Sequence, residues 1–151
     1  MSKLIKQISK LATLLLLVFG SGLSSQAQSD PIEGVWLNEE KDARIQIYKG
    51  QDNKFYGKII WLKEPNENGV PRLDKKNPNA KERNQSIVGK IILKKFERDD
   101  KKYDDGTIYD PQNGKTYDAT ITYKGKTLAL RGYVGISLFG RTTVWERVST
   151  L

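Results

Sequence analysis

A chain of 151 residues with 26 Lys and Arg, 18 Asp and Glu, no Cys and no His is of single-domain length and lacks the residues for several chemistries. Without thiols there is no disulfide, cysteine nucleophile, thiolate metal site or lipid-modified N-terminal cysteine; without imidazole the usual general base near neutral pH and the commonest transition-metal ligand are missing too. The formal charge of +8 is scattered rather than blocked, which reads as solubility and not as a nucleic-acid surface.

Lys3, Lys6 and Lys10 precede the apolar run from Leu11 to Phe19, and Ser24-Ser25-Gln26-Ala27 follows with small side chains at Ser25 and Ala27. That is the three-part form of a secretory signal peptide cleaved after Ala27, and the apolar run is too short for the ~20 residues of a bilayer span. The expectation is an exported protein, periplasmic or extracellular, soluble and not a lipoprotein, with residues 1–27 removed and 28–151 forming one domain without a membrane span. The leader takes three lysines and no acid, leaving 23 basic against 18 acidic residues, a net +5.

After a short lead-in, Gly34-Val35-Trp36-Leu37 reads as a first strand, and 43–48 alternates with Ile45 and Ile47 on one face. The run 54–63 places Phe55, Gly57, Ile59 and Trp61 on one face, with mid-strand Gly57 marking a bend or close backbone approach. From Glu64 to Gln85 the pattern stops in a polar, proline-broken loop, long enough to suggest function. Within it Asn77-Pro78 has the form of an N-cap and first helical proline, predicting one short helical turn over 78–83.

Strand pattern returns over 86–96, with Ile87, Gly89, Ile91 and Leu93 on one face. A charged turn is expected over 97–105, then a short strand over 107–109 and a turn at Asp110-Pro111-Gln112-Asn113-Gly114. Tyr117, Ala119, Ile121 and Tyr123 share a face of the next strand, and Leu128, Leu130 and Gly132 one of the strand after it. An apolar, glycine-bounded connection, 135–140, leads to the last strand, 141–148. About eight closely spaced strands predict an all-β fold, a small barrel or a sandwich. A tryptophan near each end, Trp36 and Trp145, suggests that the first and last strands meet and close a small antiparallel up-and-down β-barrel.

The terminal strands carry a resemblance. Gly34-Val35-Trp36 at one end, with Arg141, Trp145 and Arg147 in the last strand, resembles the closing frame of calycin barrels, the lipocalins and fatty-acid-binding proteins. The resemblance implies that Trp36 sits at the closed end with a basic residue of the last strand packed over it. A longer resemblance runs from Gly34 to Val148, through Gly57-Lys58-Ile59-Ile60-Trp61-Leu62, Asp74-Lys75-Lys76-Asn77-Pro78, Ile108 to Tyr117, Leu130 to Gly135 and Phe139 to Thr142. On these the chain is similar to the bacterial secreted proteins of domain of unknown function family 2147, a resemblance that implies no activity. Tyr56 stands where many relatives carry a cysteine, so any role of that cysteine does not transfer.

Three sets of residues are candidates for a site. Arg72, Asp74, Asn77 and Arg83 could grip a carboxylate or phosphate; alternatively Asp74 and Asn77 cap the helical turn and Arg83 pairs with Asp74, which needs fewer assumptions. Tyr109, Tyr117, Tyr123, Tyr133 and Trp61 could line a cavity or fill the core. Arg131 either meets an anionic head group inside the barrel or lies outside in solvent, because an unpaired charge inside is costly. No catalytic or metal set emerges. Ser86 and Ser137 lack a histidine to activate them, Asp105, Asp110 and Asp118 have no distinguishing spacing, and 99–106 lacks a calcium loop's ligand pattern. The expected function is binding of a small amphipathic or anionic molecule by a monomer without cofactor. The alternative is a cell-envelope interaction module with a filled core, and a carboxylate hydrolase ranks below both.

Overall fold

The alternating runs become strands in the computed structural model, which describes residues 28–149; the expected leader, 1–27, lies outside them. In chain order these are β1 (Gly34–Leu37), β2 (Ala43–Lys49), β3 (Phe55–Leu62), β4 (Asn66–Glu67), β5 (Val70–Pro71), β6 (Ile91–Asp99), β7 (Lys102–Asp110), β8 (Lys115–Tyr123), β9 (Thr127–Tyr133) and β10 (Arg141–Arg147). Eight of them close a barrel in the order β1-β10-β9-β8-β7-β6-β3-β2, while β4 and β5 form a small separate ribbon. Each strand therefore pairs with its neighbours along the barrel's chain order, and closure joins β1 to β10 through Trp36↔Arg147 and Leu37↔Glu146. This is the antiparallel up-and-down barrel expected from the tryptophan near each end, and not the sandwich that the strand spacing also allowed.

The core fills one half of this barrel. Trp36, Phe55, Phe96, Tyr103, Ile121 and Leu128 are all buried. Phe55 meets Tyr103 edge to face at 5.2 Å, a favoured aromatic geometry. At this end the lead-in folds under the barrel: Ile32 is buried and its carbonyl accepts from the Trp36 indole N–H at 2.8 Å. The Arg147 guanidinium lies 4.1 Å from the Trp36 ring centroid. It also donates to the carbonyls of Glu33 and Pro31, so a single cation stacks on the ring and sews the lead-in to the last strand. Gly34, at φ +133°, leaves room for it, since a Cβ there would lie 2.6 Å from the guanidinium.

Several local expectations are corrected. Trp61 does not share the inner face of Phe55, Gly57 and Ile59. The register of β2 with β3 shifts between Arg44↔Trp61 and Ile45↔Ile59, leaving Ile60 as an extra residue, and such a bulge exchanges the faces beyond it. Trp61 consequently turns outward, 37% exposed, under the Arg44 guanidinium at 4.8 Å, and Leu62 turns toward the core.

The strand expected from Ser86 begins at Ile91, because Gly89 and Lys90 are held in a turn that returns backbone bonds to Ile59. Ile91 itself faces outward, and Ile92 and Leu93 are buried instead. The charged stretch expected as one long turn is mostly strand, with Tyr103 buried within it. The short helix is a 3-10 turn over Ala80–Glu82, capped by Asn79. A second such turn, Ser137–Phe139, falls in the β9–β10 connection where none was expected.

Candidate functional site

Four connections meet at the barrel end opposite Trp36: 38–42 between β1 and β2, 63–90 between β3 and β6, 111–114 between β7 and β8, and 134–140 between β9 and β10. Between the first three of these and the mouth ends of β9 and β10, at Gly132 and Arg141, opens a cavity of about 1030 Å³. Its deeper wall is apolar, from Ile45, Ile59, Ile92, Ile108, Leu130 and Trp145. Its rim is charged, with Arg72, Lys75, Lys76 and Arg141 beside Glu40, Asp42, Glu64 and Asp110. An apolar interior with polar groups at the entrance is the usual make-up of a small-molecule site, and the volume is at the upper end of the ordinary range of about 300–1,000 Å³.

The strands position the wall by simple alternation. On β9, Leu128 and Leu130 point inward and are buried, with Gly132 next on that face at the cavity. On β10, Thr143 and Trp145 also point inward, Trp145 buried and Thr143 half-buried at the cavity. Gly132 and Arg141 are paired partners at the mouth. A Cβ on Gly132 would meet only ordinary contacts, at 3.6 Å and beyond, so this position adds volume to the cavity.

The long connection is anchored beside the mouth by a buried polar cluster. Asp74 is fully buried, 0% exposed. Its carboxylate accepts from the Tyr109 hydroxyl at 2.7 Å, from the Asn77 amide at 2.6 Å and from the Lys90 ammonium at 2.8 Å. Lys90, itself nearly buried, also reaches Glu82 at 2.9 Å. Burial pushes the Asp74 carboxyl up, but the hydrogen bonds from Asn77, Lys90 and Tyr109 outweigh it and hold the group below the usual carboxylate range. Burial pushes the Lys90 ammonium down, and Asp74 and Glu82 more than offset this, leaving it above its ordinary value. The Tyr109 hydroxyl is raised, first by burial and then by the carboxylate it donates to. The three groups therefore keep fixed protonation states as one structural unit: Asp74 ionised, Lys90 charged, Tyr109 neutral.

These positions decide among the sequence expectations. Asp74, Asn77 and Arg83 do come together, but Arg83 donates to the Asn77 carbonyl at 2.8 Å rather than to Asp74. Asn77 does not cap the helical turn. Its amide is committed inward to Asp74, its Oδ1 accepts from the Asn79 N–H, and Asn79 takes the capping role two residues later. Arg72 stands at the rim, 3.8 Å from Glu64. Tyr109 and Tyr117 line the cavity, whereas Tyr123 packs edge-on to Trp36 at 6.3 Å at the closed end.

Tyr133 lies with Arg131 on the outer face, the alternation that brings Leu130 and Gly132 in having turned both out. Arg131 spends its donors on the Ser137 and Leu138 carbonyls and the Thr142 hydroxyl, so it does not reach the interior. Lys90, the ionic partner of Asp74, was missed by the sequence reading. The one signal for it was a lysine beside Gly89 in an otherwise apolar run.

A closed antiparallel eight-stranded barrel, with an arginine-covered tryptophan at one end and a cavity at the other, is a lipocalin-like barrel. Residues 34–147 match the family of uncharacterised proteins conserved in bacteria, DUF2147, and the chain belongs to that family. Among solved structures it is similar to protein HP1028 from the human pathogen Helicobacter pylori, described as belonging to the lipocalin family. That likeness has 26% sequence identity and a TM-score of 0.69, covering 78% of this chain and 82% of that one. No curated protein matches the chain.

Proposed function

We propose that this protein is an exported carrier that binds a small amphipathic molecule in the open half of its barrel. The observation that carries the reading is the cavity of about 1030 Å³, which lies over a core already closed by Trp36 and its neighbours. The apolar part of the ligand lies against Ile45, Ile92, Leu130 and Trp145, and its polar or anionic head meets the rim at Arg72, Lys76 and Arg141. Arg72 and Arg141 have only long contacts with carboxylates, at 3.8 and 3.9 Å, so both remain able to turn toward an anion. The leader-like start of the sequence supports export, and the absence of a long apolar helix among the described residues accords with a chain that does not span by helix. The lipocalin description of HP1028 supports a ligand-holding barrel as the class.

Native mass spectrometry of the processed chain purified from its own cells tests this reading. A reproducible added mass, lost on denaturation, is expected and identifies the ligand's chemical class. A bare chain mass, together with failure to take up a fluorescent fatty-acid probe, would overturn it.

A further inference from the structure

The β9–β10 connection presents the largest run of exposed apolar side chains among the described residues. Val134 is 77% exposed, Ile136 59%, Leu138 76% and Phe139 80%. A loop of this composition normally folds its apolar groups against the nearest core, and the cavity mouth is adjacent. Here it is held away. Arg131 clamps the turn from below through the Ser137 and Leu138 carbonyls, at 2.7 and 3.0 Å, and anchors itself on Thr142 at 2.8 Å. Gly140 seats the return of the chain so closely that a Cβ there would lie 2.6 Å from the Gly132 carbonyl. Gly135, at φ +75°, makes the outgoing turn that side chains disfavour. The sequence thus commits an arginine and two glycines to presenting four apolar side chains to the outside.

From this geometry we infer that the 134–139 loop inserts into the surface of an anionic lipid bilayer, setting the cavity mouth against the membrane. Two features favour lipid over a protein partner. Four side chains on one hairpin are far fewer than the roughly 20–30 residues a side of a stable protein interface, whereas insertion into hydrocarbon requires no complementary shape. The charge carried by the loop's own two strands is also one-sided, because residues 119–145 contain no acid and Arg131 and Arg141 flank the loop; Glu40, 3.9 Å from Arg141, comes from the neighbouring β1–β2 connection. Cations at the base of an apolar tip meet anionic head groups as the tip enters the acyl layer. The inference is independent of what the cavity holds.

Residues 28–151, whose described part closes as a barrel with its own core, are tested by co-sedimentation with vesicles of phosphatidylglycerol and phosphatidylethanolamine, and separately of phosphatidylcholine. The chain is expected to pellet with the anionic vesicles. The double substitution Leu138→Ser, Phe139→Ser should weaken this at least tenfold, and Val144→Ser, on the outer face of β10, should not. Because the chain has no native thiol, Leu138→Cys takes a single environment-sensitive fluorophore. Its emission should shift to the blue on anionic vesicles, while the same label at Gln51→Cys, at the closed end, should not respond. Wild-type protein that stays in the supernatant, or a double variant that binds equally well, overturns the inference. So does a concentration-dependent dimer broken by the same double variant, which would make a second copy the partner.

Discussion

Lys90 and Asp74 show how much one buried pair can hold. Among the described residues Lys90 is the only cation on the Asp74 carboxylate, and both side chains are shielded from solvent. Removing one member strands the other, which costs about 3 kcal/mol or more for a buried pair. Lys90→Met is therefore expected to lower stability by that amount in urea unfolding. Asp74 also sets a pH response. Its folded carboxyl lies below its unfolded range, so its contribution is fully present above about pH 4 and is lost as the pH falls through the folded value. The urea midpoint should drop as acid is added below about pH 4, and Asp74→Asn, starting lower, should show a shallower drop.

The strands are governed by bends that alternation alone does not reveal. Gly57 lets β3 approach β6 so closely that a Cβ would sit 2.7 Å from the Leu93 Cδ1 and 3.0 Å from its Cβ. Gly57→Val forces Leu93 from its place, and overpacking of this kind costs about 1–3 kcal/mol; thermal unfolding would register it as a lowered midpoint. A few residues beyond Gly57, the bulge at Ile60 reverses the faces of Trp61 and Leu62. Period-two reading carried Phe55, Gly57 and Ile59 correctly to the inner face and then failed by one residue. A bulge leaves no composition signal in Ile59-Ile60-Trp61-Leu62, since each of these apolar residues tolerates either face. Tyr103 was hidden differently: its neighbours Lys101, Lys102, Asp104 and Asp105 are charged, yet alternation inside a barrel needs only every second residue to be apolar.

At the level of the molecule, closure at one end and a cavity at the other follow from where bulk lies along the strands. Large aromatics fill the Trp36 end, while Gly132, Thr143 and aliphatic residues leave space at the mouth. Gly132→Leu places a side chain in that space without a backbone clash. It is expected to change stability by less than about 1 kcal/mol while abolishing the bound mass in native mass spectrometry. Retention of the ligand by a folded Gly132→Leu chain would remove the cavity's open half as its location.

Strand number, the up-and-down order and the meeting of Trp36 with the last strand were all legible in the chain, because turn residues and period-two alternation are local properties and Gly34-Val35-Trp36 is a local motif. Of the candidate site, Asp74, Asn77, Tyr109, Tyr117 and Arg72 were recognised as residues of interest, but their relations were not. Arg83 turned from Asp74 to a carbonyl, Lys90 came from 16 positions away in the chain to take its place, and Arg131 and Tyr133 fell outside the barrel. Those outcomes depend on bulges, on register and on which loops converge at one barrel end. They are fixed by the balance of packing over the whole closed sheet, so only the tertiary structure could decide them.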